Sequence, residues 1–289
     1  MALRMMATLV MAALIAVGSA QAGTAREVRK QAESSLRVSG SIVIGMDGAV
    51  LSHELDPEAP LTPVLVEFIR GAVAKWRFEP VLVDGKRVNA KVPMSLRLVA
   101  RRADDGNVSV SIASTYFGAQ SDAPATDQPQ SVQMTPPRYP KGALYMGGKG
   151  TVYLIVQVGR DGKVLNADAE QVNLRVAGTT AQMNELRKQF TDASVRAARG
   201  WKFSAPTTGE EANQDSWLVR VPVDYVLVGP GERRLKPDVG WDTYIPGPRN
   251  AGMPWAAEKL RMAGSPDALP EEGVFPLRQG AKLLSPPAT

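Results

Sequence analysis

Gly150-Thr151-Val152-Tyr153-Leu154, followed by Arg160-Asp161-Gly162-Lys163-Val164, is the stretch that decides the fold. An apolar strand runs into Asp-Gly and out into a second valine-containing strand. Asp-Gly between two such runs is a strong hairpin signal, because the turn needs positive φ and Gly supplies it at little cost. The same order stands earlier in the chain, as Gly40-Ser41-Ile42-Val43-Ile44 and then Met46-Asp47-Gly48-Ala49-Val50. Ala72 and Ala74 precede Trp76-Arg77-Phe78-Glu79-Pro80, and Ala197 and Ala198 precede Trp201-Lys202-Phe203-Ser204-Ala205-Pro206. Val92-Pro93-Met94 then matches Val221-Pro222-Val223. The order each time is hairpin, helix, Trp-basic-Phe, Val-Pro strand, which reads as an internal duplication. The Asp-Gly turns lie 114 positions apart and the Val-Pro pairs 129, so the second copy carries about 15 extra residues, most of them near Val172 to Thr180.

The segments between these landmarks fit helices. Met183, Leu186, Phe190, Ala193 and Ala197 form one apolar stripe at helical spacing. Thr179 or Thr180 suits the N-cap and Gly200 the stop. In the first copy Thr62 can cap, Pro63 sits at the favoured first turn, and Leu65, Phe68, Ile69, Ala72 and Trp76 make the stripe. The closing strands alternate. Val219, Val221, Val223 and Tyr225 share one face, opposite Arg220, Pro222 and Asp224. Val92, Met94, Leu96 and Leu98 likewise oppose Lys91, Pro93, Ser95 and Arg97. A proline cannot donate to a ladder, so each closing strand is expected at a sheet edge with open backbone on one side. The expected class is α+β: two small antiparallel sheets, each with a packed helix.

The N-terminus reads as an export signal. Arg4 is followed by an apolar run from Met5 to Val17 and by Ala20-Gln21-Ala22, a small-x-small cleavage pattern. The run is short for a membrane span, which needs roughly 20 residues. Residues 1–22 are therefore expected to be a signal peptide and the protein periplasmic, the alternative being a retained inner-membrane anchor. The 289 residues include no cysteine, so neither disulfides nor thiol chemistry is available. The formal charge of +5 is mild for this length, and no Lys/Arg cluster marks a nucleic-acid groove. The expected units are 36–117, a linker at 118–135, 136–228, and a Pro/Gly-rich tail at 229–289. As a flexible coil the linker reaches about 25 Å. The tail loses periodicity, with one short helix at Trp255 to Met262 and a few aromatics that pack on the second unit.

Pro137-Arg138-Tyr139-Pro140, Ala143, Gly147, Gly150, the Asp161-Gly162 hairpin, Trp201-Lys202-Phe203, Pro206 and Val221-Pro222-Val223 together resemble the C-terminal domain of TonB energy transducers. The likeness covers Pro136 to Val228, and more weakly Leu36 to Val99, where the Tyr-Pro lead-in is missing. The resemblance implies a periplasmic α+β domain that binds short segments of outer-membrane receptors by strand addition and relays energy from a proton-driven motor. It points to a binding module or adaptor for an extended segment of an outer-membrane receptor or other envelope protein. The peptide-binding residues would be Arg138, Tyr139, Pro140, Leu218, Arg220, Pro222 and Asp224. Contact with the motor complex, and the transducer reading, require the N-terminus to stay anchored. A third reading is a structural envelope protein. Exposed edges would also allow a homodimer.

Enzymatic chemistry finds little support in the residues. The one histidine, His53, follows the first hairpin as a strand residue, and no nucleophile-elbow pattern accompanies it. No phosphate-binding glycine loop is present, since Gly147, Gly148 and Gly150 lack a following Lys-Ser or Lys-Thr. Asp104-Asp105, Glu210-Glu211 and Glu271-Glu272 sit in turn-like contexts. No catalytic residue, metal, cofactor or nucleic-acid partner is expected. Trp76 and Trp201 are expected as core anchors.

Overall fold

The computed structural model describes residues 23–83, 85–102, 107–118, 125–209, 211–227, 240–270, 272–277 and 280–285. The expected signal peptide lies outside them, as do Asp104, Asp105, Glu210 and Glu271. In chain order the helices are α1 (Ala25–Arg29), α2 (Pro63–Val73), α3 (Lys141–Tyr145), α4 (Thr180–Ala198) and α5 (Ala257–Met262). The strands are β1 (Glu33–Ile44), β2 (Val50–Leu55), β3 (Leu82–Val83), β4 (Lys86–Arg87), β5 (Ala90–Arg102), β6 (Val108–Phe117) and β7 (Gln130–Gln133). They continue as β8 (Gly150–Gly159), β9 (Val164–Leu174), β10 (Lys202–Ser204), β11 (Ser216–Tyr225), β12 (Asp242–Tyr244) and β13 (Phe275–Pro276). The class is α+β with several small antiparallel sheets. No helix among the described residues is long and apolar enough to cross a membrane.

The same local device opens both halves. In each Asp-Gly turn the aspartate carboxylate accepts from the backbone N–H two residues on, at 3.0 Å in both Asp47–Ala49 and Asp161–Lys163. The glycines then take positive φ, 81° at Gly48 and 76° at Gly162. Their carbonyls accept from the N–H of Phe78 at 2.8 Å and of Phe203 at 2.9 Å. A Cβ on either glycine would lie 2.0 Å from the carbonyl oxygen of that same phenylalanine. Each turn therefore locks the Trp-basic-Phe segment against its hairpin, and that segment carries the buried Trp76 or Trp201.

Two helices complete two cores. Thr62 caps α2 through the Leu65 N–H, and Thr179 caps α4 in a reciprocal pair with Gln182. α4 buries Met183, Leu186 and Phe190 against Val152, Leu154 and Val156 of β8 and Val219, Val221 and Val223 of β11. Each such fully buried apolar side chain contributes about 1.5–3 kcal/mol. α2 buries Ile69, Ala72 and Val73 against β1 and β5, while Leu65 and Phe68 stay half-buried.

Three expectations fail for a common reason. Neither closing strand is an open edge along its length. β5 lies between β1 and β6, and β11 between β8 and, at Val219 and Arg220, β13. Leu277 N–H adds a bond to the Leu218 carbonyl at 2.7 Å. The linker is not wholly a coil, since β7 pairs with β10 and Thr126 accepts from the N–H groups of Thr207 and Thr208. The tail is not a loose addition to the second half. α5 forms as expected, but β12 pairs with β1 while the adjoining Ile245 exchanges two backbone bonds with Leu174 at the end of β9. On the faces opposite the apolar stripes, Arg97 of β5 and Leu218 and Arg220 of β11 meet the tail. Ser95 and Arg97 on β5, and Leu218, Arg220 and Pro222 on β11, are buried. Periodicity marks which face of a strand is apolar but not what a distant polar segment will cover.

Replacing Gly162 with alanine forces a Cβ onto the Phe203 carbonyl as well as a strained φ, whereas Gly147, also at positive φ, has open space around it. Urea unfolding should show Gly147→Ala costing about 1 kcal/mol and Gly162→Ala clearly more, about 2–3 kcal/mol or beyond. Equal costs would mean that the turn does not bear on the Trp201 segment.

Candidate functional site

The residues expected to bind peptide fall into two groups. Arg138, Tyr139 and Pro140 lead into α3, with Pro140 at its N-cap and Arg138 exposed. The Tyr139 ring meets Phe190 and Tyr225 edge-on, at 5.9 and 5.5 Å between centroids, and Tyr139 OH donates to the Gly148 carbonyl. Phe190 and Tyr225 stack at 4.1 Å, and the Tyr225 and Ser194 hydroxyls lie 2.9 Å apart. Burial, and then the charge of Asp224, raise the Tyr139 phenol above its ordinary value. Burial pushes Tyr225 up to about 12. Asp224 accepts from Thr151 Oγ1 at 2.9 Å and from Arg175 Nη1 at 2.6 Å. Arg175 also reaches Asp242 of the tail at 2.7 Å. Burial alone would lower the Arg175 pKa, but Asp224 and Asp242 carry it above the usual arginine range. So Tyr139 lies against Tyr225 at the end of β11, next in sequence to Asp224, and Arg138 and Pro140 flank it along the chain.

Leu218 and Arg220 lie at the other end of β11, beneath the tail. Leu218 packs with Met253, Ala256, Leu260 and Leu277. Arg220 holds Glu170 through two bonds of 2.7 and 2.8 Å and donates to the Gly264 carbonyl at 2.9 Å. Glu170 is 0% exposed and also accepts from Arg249 Nε at 2.7 Å. The seven residues therefore do not share one surface.

Sequence reasoning missed a second ionic centre. Asp267 lies 3.0 Å from Arg97 Nη2, and its carboxylate also accepts from Ser114, Ser265 and Tyr244. Arg97 in turn reaches Glu33 at 2.7 Å and lies over the Tyr244 ring. The one available signal was Arg97 itself, a charge on the β5 face opposite the apolar stripe. Its partner stands 170 positions away, beyond any local pattern.

His53 is half-buried on β2. It lines a shallow groove of about 380 Å³ with Leu55, Asp56, Leu61 and Arg70. Burial, then the neighbouring Arg70 charge, lowers its pKa. No group of three or more metal-ligating side chains occurs among the described residues. The charged side chains that are buried are engaged in ion pairs between strands and tail.

These features define a two-lobed α+β scaffold with an aromatic lead-in beside its closing strand. Over 108 residues the chain is 35% identical to Protein TonB of Xanthomonas campestris pv. campestris strain B100, covering 37% of this chain and 42% of that protein. Protein TonB of strain ATCC 33913 of the same pathovar matches to the same extent. This likeness supports a TonB-like domain over that part of the chain. The chain spans less than half the length of these curated relatives. No family model and no solved structure matches it.

Two outcomes test the packing around β11. Glu170→Gln leaves Arg220 and Arg249 without their counter-charge. Thermal unfolding should show about 3–5 kcal/mol of lost stability, and limited proteolysis should cut first within residues 240–270. Tyr225 bears on alkaline stability. Below pH 10 both folded and unfolded chains keep its proton. Above pH 10 the unfolded chain ionises first, so stability falls as pH rises toward about 12. Urea midpoints at pH 9 and pH 11 should drop less in Tyr225→Phe than in the unaltered chain.

Proposed function

We propose that this protein is a periplasmic TonB-like adaptor that docks extended segments of outer-membrane receptors or other envelope proteins by strand addition. The observation that carries the reading is the far end of β11. Among the described residues β13 pairs with β11 at Val219 and Arg220, short of Pro222 to Tyr225. Pro222 and Asp224 have their backbone on the same side as Arg220, the side turned to β13. Arg138, Tyr139 and Pro140 form the lead-in of the TonB-like domain. Strand addition needs an edge for the backbone and side-chain contacts for selection, and the Tyr139 lead-in against Tyr225 offers the contacts. Asp224 is held by Arg175, which fixes the strand end that a ligand would meet. The two halves are read here as diverged copies of one module. The recurrence of the Asp-Gly lock, with contact distances within 0.1 Å of each other, supports that reading. Residues 1–22 are read as the signal peptide that delivers the chain to the periplasm.

Titration of 15N-labelled protein with synthetic receptor segments tests the proposal. Amide shifts should concentrate at Val223, Asp224 and Tyr225, and Arg138→Glu should weaken binding several-fold. If no receptor segment moves these amides, the docking edge is not here.

A further inference from the structure

The two Trp-basic-Phe segments have different partners. In the second lobe β10 pairs with β7, just ahead of the lead-in: Ser204 faces Gln130, Phe203 faces Ser131 and Lys202 faces Gln133. Two residues further on, the Thr135 carbonyl accepts from Trp201 Nε1 at 2.9 Å. Among the described residues the first lobe has no such segment ahead of its hairpin. Its counterpart comes from the far end of the chain. Phe78 bridges to Leu283, Glu79 N–H donates to the Lys282 carbonyl at 2.9 Å, and Leu284 N–H donates to the Arg77 carbonyl at 2.7 Å. Arg77 N–H donates to Ser285 Oγ at 2.9 Å, and Ala281 and Leu283 pack on the first core. Both segments run on into a proline pair, Pro136-Pro137 and Pro286-Pro287.

The substitute fits less completely. Trp76 is 1% exposed, yet among the described residues its Nε1 has no acceptor, where Trp201 has Thr135. A buried donor without an acceptor is costly to keep. Leu284 remains largely exposed. The hold on this segment rests on a few backbone bonds, the Ser285 hydroxyl, an exposed Lys282–Glu79 ion pair at 3.1 Å and two partly buried apolar side chains.

We propose that the Arg77–Glu79 edge is a strand-complementation site for an extended peptide carrying an apolar residue at the place of Leu283, and that Gly280–Ser285 is its resident, displaceable occupant. A ligand that also sets a carbonyl against Trp76 Nε1 makes a bond the resident does not. This site lies on the first lobe, so it stands or falls separately from docking at β11.

The test uses the full chain, unaltered and as Leu283→Asp, with a synthetic peptide of residues 280–289. The Trp76 indole resonance, assigned through Trp76→Phe, reports on the site by NMR. The peptide should shift that resonance in Leu283→Asp and raise its melting temperature. The unaltered chain should bind the peptide at least tenfold more weakly, because its own segment competes. Hydrogen exchange of the unaltered chain supplies a reading that does not depend on the variant folding. The Glu79 and Leu284 amides should open at least tenfold more often than those of the β1–β5 ladder. Equal peptide binding by both chains, no binding by Leu283→Asp, or protection at Glu79 equal to that of the ladder would overturn the proposal.

Discussion

Two buried carboxylates decide how this protein holds together. Glu170 on β9 draws Arg220 from β11 and Arg249 from the tail, and Asp267 in the tail draws Arg97 from β5. A charge taken out of water is stable only with close counter-charges and filled hydrogen-bond positions. Both carboxylates meet that demand by recruiting chain from elsewhere. The tail therefore cannot lie anywhere else at comparable cost. Once it is placed, Met253, Ala256 and Leu260 fall onto Ile155 and Leu218, and a third apolar cluster forms on the back of the second sheet.

What the sequence made legible is local. The hairpins, the caps at Thr62 and Thr179, the stripe through Met183, Leu186 and Phe190, and α5 all follow from short-range patterns. The burial of Trp76 and Trp201 follows from the same patterns. Legibility stops where partners are remote. Val219, Val221 and Val223 declare a core face, but nothing in their neighbourhood shows that Leu218 and Pro222 opposite them are covered too. Pro93 and Pro222 suggest edges on sound grounds, since neither can donate to a ladder. The coverage comes from β6 for the first lobe and from Phe275-Pro276 for the second, by pairings that need only part of the strand's donors. Of the candidate site, the lead-in at Tyr139 was legible as a motif. The separation of Leu218 and Arg220 from it was not, because spacing along a strand does not show which end a tail will cover.

The likeness to Protein TonB covers a little over a third of the chain. What lies beyond it changes the setting of the TonB-like domain. The domain is built into a block in which a further lobe and a tail restrict the backbone that could meet a partner. Docking by strand addition, as proposed above, would therefore use short reaches of strand edge, with selectivity falling to the few side chains around them.

The placement of Lys282–Leu284 against Arg77–Glu79, and of β12 against β1, sets an order of assembly. The first lobe begins early in the chain, yet strands it needs come from residues more than 200 positions later. Contacts of such separation close slowly, because the loop entropy is spent before any bond is gained. The second lobe has its hairpin, helix and closing strand within one continuous stretch. It can form that hairpin, helix and closing strand before the tail arrives to cover them, while the first lobe still has open edges. A chain emerging N-terminus first thus finishes its beginning last, and the open Arg77–Glu79 edge is the portion most in need of protection in the interval.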